Sequence, residues 1–143
     1  MTEYKKVFVD TAPFIYYIEK DENNPRYFEK IKCFFKHCYQ KDIQMVTSAI
    51  TIEEYYVFPY RNNRMDYIAM FEKLVNTLDI FITQIDVSTA KKAAEIRAEY
   101  KHFKSMDSLQ LASACLRSCD LFLTNDKQLK QFDQIKCMTI DDL

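Results

Sequence analysis

The chain has 143 residues, 20 basic against 21 acidic side chains and no glycine at all, where the ordinary frequency of about 7% would give roughly ten. That absence excludes a Walker A loop, a G-x-G-x-x-G dinucleotide turn and a G-x-S-x-G nucleophile elbow, each of which needs glycine where backbone approaches phosphate or turns sharply. A net charge of −1 likewise excludes a global basic field for nucleic acid, though not a local patch.

The length implies one domain spanning 1–143, and the 48% hydrophobic content supports a true core. Along the chain, VFVD (7–10) reads as a short strand ending in an acid. Pro13 suits the first turn of the helix PFIYYIEK. Asp21 to Asn24 with Pro25 form a polar break before the helix 26–40, where Phe28, Ile31, Phe35 and Tyr39 repeat at helical spacing. IQMVTS (43–48) is a second strand, followed by a helix from about Ala49 that Pro59 is expected to stop. In the turn YRNNR, asparagine stands where many chains place glycine, because it tolerates positive φ. Met65 to Leu78 reads as a helix and IFITQID (80–86) as a third strand. Ser88 or Thr89 is expected to cap a helix running to about Tyr100, and Ser105 the next. LFLT (121–124), the short helix NDKQLKQF and the strand IKCMTI (135–140) complete the chain. Alternating strands and helices imply an α/β fold with a parallel sheet of about five strands between helices, and function at the carboxyl ends of the strands.

The start, MTEYKKVFVDT, lacks a signal peptide's apolar stretch, and no run approaches a membrane span, so the chain reads as cytoplasmic with no membrane association. Five cysteines, an odd number, suit reduced thiols, and their spacing with only His37 and His102 is a poor match to a zinc site.

Acids cluster where the topology predicts chemistry. Asp10 ends the first strand, Asp126 follows the fourth, Glu53 or Glu54 lies on the helix after the second, and Asp107 opens the helix SMDSLQLASA. Each has a structural explanation alone, as a helix cap or a solvated side chain. Four at one sheet edge are another matter: two carboxylates about 5 Å apart repel by roughly 3 kcal/mol at an effective dielectric of 20. A divalent cation resolves that repulsion, and an all-oxygen set points to Mg²⁺ or Mn²⁺ supporting hydrolysis.

The ordered set VFVDTAPFIYYIE, SAITIEEY, MDSLQLASA and LFLTND resembles the PIN-domain ribonucleases, in particular the VapC-type toxins of toxin–antitoxin pairs, over nearly the whole chain. The family's S-x-x-T-x-x-E register falls on Ser48, Thr51 and Glu54, selecting Glu54 over Glu53. The resemblance implies a three-layer PIN-like fold, with Asp10, Glu54, Asp107 and Asp126 as catalytic metal-holding residues and Thr124 orienting the site. It further implies Mg²⁺- or Mn²⁺-dependent cleavage of RNA, a homodimer, and an antitoxin that inhibits the site. The alternative is a non-catalytic PIN-like module that binds RNA or protein. The glycines common in the family's loops are missing, which sets the substrate loops apart more than the acids.

Other features rank lower. A dehalogenase-like phosphotransferase needs a second aspartate at position 12, which is Ala. Arg61 and Arg64, beside Tyr60, are candidate nucleic-acid contacts, with a solvated turn as the competing reading. Lys91, Lys92, Arg97, Lys101 and Lys104 read as a helix surface. The aromatic band FIYYI (14–18) with Phe34, Phe35 and Tyr39 is expected to be mostly core, partly exposed as a groove for an antitoxin helix.

Overall fold

A computed structural model of the chain describes residues 3–20 and 24–143. Its strands are β1 (Lys6–Val9), β2 (Gln44–Ser48), β3 (Phe81–Thr83), β4 (Leu121–Thr124) and β5 (Lys136–Thr139). The helices are α1 (Thr11–Glu19), α2 (Pro25–Gln40), α3 (Ala49–Arg61), α4 (Met65–Thr77), α5 (Val87–Glu99) and α6 (Ser105–Leu116). Short 3-10 turns follow β4 (Lys127–Gln131) and β5 (Ile140–Asp142). The polar break proposed at 21–24 falls mostly outside the described residues. None of the described helices is long and apolar enough to cross a membrane.

All strand pairs are parallel, in the order β3-β2-β1-β4-β5. The central strands carry near-continuous apolar runs because both faces of the sheet are covered. Alternation then assigns each side chain to a layer. Val7 and Val9 pack with Phe14, Ile31, Phe35, Tyr55 and Phe71 beneath α1 to α4. Phe8 enters the opposite layer with Ala93, Ile96, Leu111 and Leu129 of α5, α6 and the turn after β4. There Phe8 stacks on its register partner Phe122 with ring centroids 5.2 Å apart. The chain builds β2 and β3 on one side of β1, then β4 and β5 on the other. This reversal opens a crevice beyond the carboxyl ends of β1 and β4, the usual ligand position in such sheets.

The missing glycines leave a mark on the helix ends. Lys20, Asp42, Asn63, Asp79 and Ser118 all have φ between 48° and 58°, the left-handed region that glycine usually occupies after a helix. Four of these positions close Schellman turns through bonds Ile43 N to Cys38 O (2.9 Å), Arg64 N to Pro59 O (2.8 Å), Ile80 N to Val75 O (2.9 Å) and Cys119 N to Ala114 O (3.0 Å). Asparagine performs the expected role at Asn63, and aspartate does so twice.

Several boundaries differ from the sequence reading. Pro59 lies inside α3, which runs on to Arg61. Proline removes only the bond to Tyr55's carbonyl, and the helix ends instead through the left-handed turn at Asn63. The third strand spans only Phe81–Thr83, because its outer edge has no neighbour and the register with β2 ends at Thr83. The cap of α5 is Asp86, whose carboxylate accepts from Thr89 N, and Ser105 is the first residue of α6 rather than its cap. The aromatic band divides: Phe14 and Phe35 are core, Tyr16, Tyr17 and Phe34 are partly buried, and Tyr39 is 66% exposed. The five cysteines are unpaired, with Cys38, Cys119 and Cys137 buried.

Candidate active site

Four elements deliver the four acids to one open cavity of about 360 Å³, lined by Asp10, Thr11, Glu54, Asp107, Thr124 and Asp126 among others. Asp10 arrives as the residue after β1 and the N-cap of α1, with its backbone N–H bound to Leu123 O at 2.9 Å. It is only 9% exposed. Its Oδ1 accepts from Thr11 N at 2.8 Å and from Gln110 Nε2 at 3.2 Å, and its Oδ2 accepts from the Thr124 hydroxyl at 2.9 Å. Burial is the main force on its carboxyl, pushing the pKa up to about 6 against those hydrogen bonds, with Asp107 and Glu54 adding to the rise.

Glu54 comes from the second turn of α3 and accepts the Thr11 hydroxyl at 2.7 Å. Glu53 is exposed and does not line the cavity. The helix places the two about 100° apart, so only Glu54 reaches the cavity. Asp107 occupies the first turn of α6, half-buried. Burial raises its pKa first, then the charges of Asp126 and Glu54, with Lys104 opposing them. Asp126 follows β4 by two residues, caps the 3-10 turn through Gln128 N (3.0 Å), and donates its own N–H to Thr124 Oγ1 at 3.1 Å. The capping explanation for Asp126 is therefore true and compatible with a place in the cavity. Thr124 joins Asp10 to the Asp126 backbone.

Arg61 and Arg64 lie elsewhere. Arg61 is exposed at the end of α3, and Arg64 forks onto Asp66 at 3.0 and 2.8 Å with its guanidinium 3.8 Å from the Tyr67 ring centre. Neither lines the acidic cavity. A larger cavity of about 700 Å³ beside β5, bordered by Tyr4, Lys130, Lys136 and Asp142, gathers no comparable set of acids.

Sequence reading missed Gln110, a fully buried amide in contact with Asp10. Its signal was a polar residue between Leu109 and Leu111 in an apolar stripe. Thr11 was likewise visible only as part of VDT, although its hydroxyl donates to Glu54 at 2.7 Å and lies 3.5 Å from the Thr51 hydroxyl.

The donor set suits a hard divalent cation: oxygen only, with Asp10 and Asp107 held above the ordinary carboxylate range by burial and mutual repulsion. Among the described residues no three His, Cys, Asp or Glu side chains close into a ready-made cage. Mg²⁺ fits such a set, since it takes one or two carboxylates directly and keeps several waters.

The fold is similar to a chain of VapBC2 from Rickettsia felis, bound to a DNA fragment of its promoter, at 13% identity, over 94% of this chain and 98% of that one, with a TM-score of 0.76. A chain of the DNA-bound VapBC of Salmonella typhimurium matches at 20% identity, 94% and 98% coverage and TM-score 0.73. VapC20 of Mycobacterium tuberculosis, a Sarcin-Ricin loop cleaving toxin, matches at 14% identity, 91% and 98% coverage and TM-score 0.66. At these identities the likeness establishes the fold alone. No curated protein matches by sequence. The PIN domain model matches residues 7–135, nearly the whole chain including every acid of the cavity, and on that match the chain belongs to the PIN domain family.

Proposed function

We propose that this protein is a Mg²⁺- or Mn²⁺-dependent endoribonuclease that acts in the cytoplasm as the toxin of a toxin–antitoxin pair. The observation that carries this reading is the meeting of Asp10, Glu54, Asp107 and Asp126, from four separate elements, around one open cavity at the topological switch of the sheet. These four residues are the ones that would hold the ion, with Thr124 orienting Asp10. When bound, the ion supplies charge neutralisation for a phosphodiester and activates water for hydrolysis. Thr11 and Thr124 hold the Glu54 and Asp10 carboxylates in fixed orientations. Ala12 and Ile15 give the cavity one apolar wall, suited to a ribose or base edge. Arg61 is better placed than Arg64 to take a flanking phosphate, since Asp66 engages Arg64.

The antitoxin reading draws on the structural neighbours, which include a toxin–antitoxin complex from Klebsiella pneumoniae. A groove of about 370 Å³ bordered by Tyr17, Phe28, Met70 and Leu74, with Lys20 and Lys73 at its rim, offers an amphipathic helix an apolar floor and cationic edges. A homodimer, as the family resemblance implies, completes the proposal.

The test is incubation of the purified protein with candidate RNAs in Mn²⁺ and in EDTA, beside Asp10→Asn. Cleavage in Mn²⁺ that is lost in EDTA and in the variant supports the nuclease. RNA binding that ignores metal, with no cleavage, supports instead a PIN-like binding module.

A further inference from the structure

Helix α6 buries Leu111, Ala112 and Ala114 against the sheet and α5, and within that apolar helix Gln110 is only 1% exposed. Burying an amide costs roughly 1–3 kcal/mol unless its hydrogen bonds are made. Here all are made. Nε2 donates to Thr51 Oγ1 at 2.8 Å and to Asp10 Oδ1 at 3.2 Å, and Oε1 accepts the Ser48 hydroxyl.

The proton count fixes the direction of this network. Val9 O can only accept, so the single hydroxyl proton of Thr47, 2.7 Å away, goes there. Thr51 must then supply the proton of its 2.8 Å contact with Thr47, and its oxygen is left to accept from Gln110. Ser48 accepts from Ile50 N at 3.0 Å as the cap of α3 and gives its proton to Gln110 Oε1. A flipped amide would set Oε1 against the Asp10 carboxylate and leave Ser48 facing an N–H, so one orientation is imposed.

We infer that Gln110 is a positioning residue, whose amide aims the Asp10 carboxylate and holds α6 in register with α3 so that the acids meet around a divalent cation. This inference rests on the proposed metal-dependent reading of the site. Its basis is what Gln110 joins. Thr11 N and Gln110 Nε2 together occupy the two lone pairs of Asp10 Oδ1, while Thr124 takes one on Oδ2 and leaves the other for a ligand. Gln110 lies three residues beyond Asp107, on a neighbouring position of the same helix face. Its bonds to Ser48 and Thr51 tie that face to the first turn of α3, one turn before Glu54. Packing alone would be served by leucine or methionine. Polar groups that orient metal ligands typically govern metal affinity by 10- to 100-fold.

The experiment compares wild type with Gln110→Met, which keeps length and volume and removes all three bonds. Mn²⁺ affinity is read by calorimetry, the metal-free Tm by thermal unfolding, and the Mn²⁺ concentration for half-maximal RNA cleavage by titration. The expected result is a metal-free Tm within a few degrees of wild type, a Kd for Mn²⁺ raised about tenfold or more, and a matching rise in the half-maximal concentration. A folded Gln110→Met with wild-type Mn²⁺ affinity overturns the inference and leaves the nuclease reading standing. A wild-type protein that binds no Mn²⁺ overturns both. Should the variant not fold, the side-chain amide resonances of Gln110 in wild-type protein are followed by NMR during Mg²⁺ titration. They are expected to shift more than those of the exposed Gln128 and Gln131, and unmoved signals overturn the inference.

Discussion

The hydroxyl of Thr11 donates to Glu54 Oε1 across 2.7 Å, joining the first turn of α1 to the second turn of α3. The residue after the first acid thus orients the second, although 43 positions separate them. Thr11→Val keeps the shape and removes the bond. The expected outcome is a stability loss of about 1 kcal/mol in urea unfolding and a fall in Mn²⁺-dependent cleavage of about tenfold. Cleavage at the wild-type rate would show that Glu54 needs no such guide.

Asp10 makes stability depend on pH. Its folded pKa of about 6 stands above the ordinary 3.8, so the folded state binds this proton more tightly than the unfolded chain. The associated stability is complete below about pH 4 and is lost as pH rises through about 6, a cost of about 3 kcal/mol at neutrality. Asp10→Asn never ionises. In metal-free buffer its stability relative to wild type should therefore grow between pH 4 and pH 7, while its cleavage activity is abolished. A difference that does not change with pH would count against the buried charge.

A divalent ion should reverse that penalty. Wild-type Tm is expected to rise with Mn²⁺, by the equivalent of about 2.7 kcal/mol when the ion is 100-fold above its Kd. EDTA should return it, and Asp10→Asn should respond little. Equal shifts in both proteins would place the ion elsewhere.

Lys104 is the cation that opposes the rise in Asp107's pKa. Lys104→Met removes it, so the Asp107 carboxyl should hold its proton to higher pH. The acid limb of Mn²⁺ binding, followed by calorimetry across pH 5 to 8, is expected to move upward. An unmoved limb would show that Lys104 is screened by solvent.

Two substitutions away from the cavity test the fold. Ser118 holds φ at 58°, where a Cβ costs about 1 kcal/mol. Ser118→Gly should stabilise by about 0.5 kcal/mol once the added freedom of the unfolded chain is subtracted. Tyr55 buries a hydroxyl without a hydrogen-bond partner among the described residues, so Tyr55→Phe should be neutral or stabilising by about 1 kcal/mol in urea unfolding.

The strands VFVD, QMVTS and LFLT were legible because apolar runs ending in acids or hydroxyl residues have few other readings. The position of Glu54 beside the cavity was legible too, through the register with Ser48 and Thr51 that the family resemblance supplies. The length of β3 was not, because an edge strand ends where its neighbour stops pairing. Pro59 misled for a related reason: a proline near a helix end costs one bond, and the Schellman turn at Asn63 decided the terminus.

By itself, the sequence determined the family, named the four candidate acids, and excluded any glycine-built phosphate cradle. Those are properties of residue type and spacing. Only the tertiary structure decided that the acids share a cavity, that burial holds Asp10 and Asp107 above the ordinary carboxylate range, and that Gln110 touches Asp10 from 100 residues away. Desolvation and hydrogen bonding depend on what surrounds a group, and the surroundings exist only once α1, α3 and α6 have closed over the ends of the parallel strands.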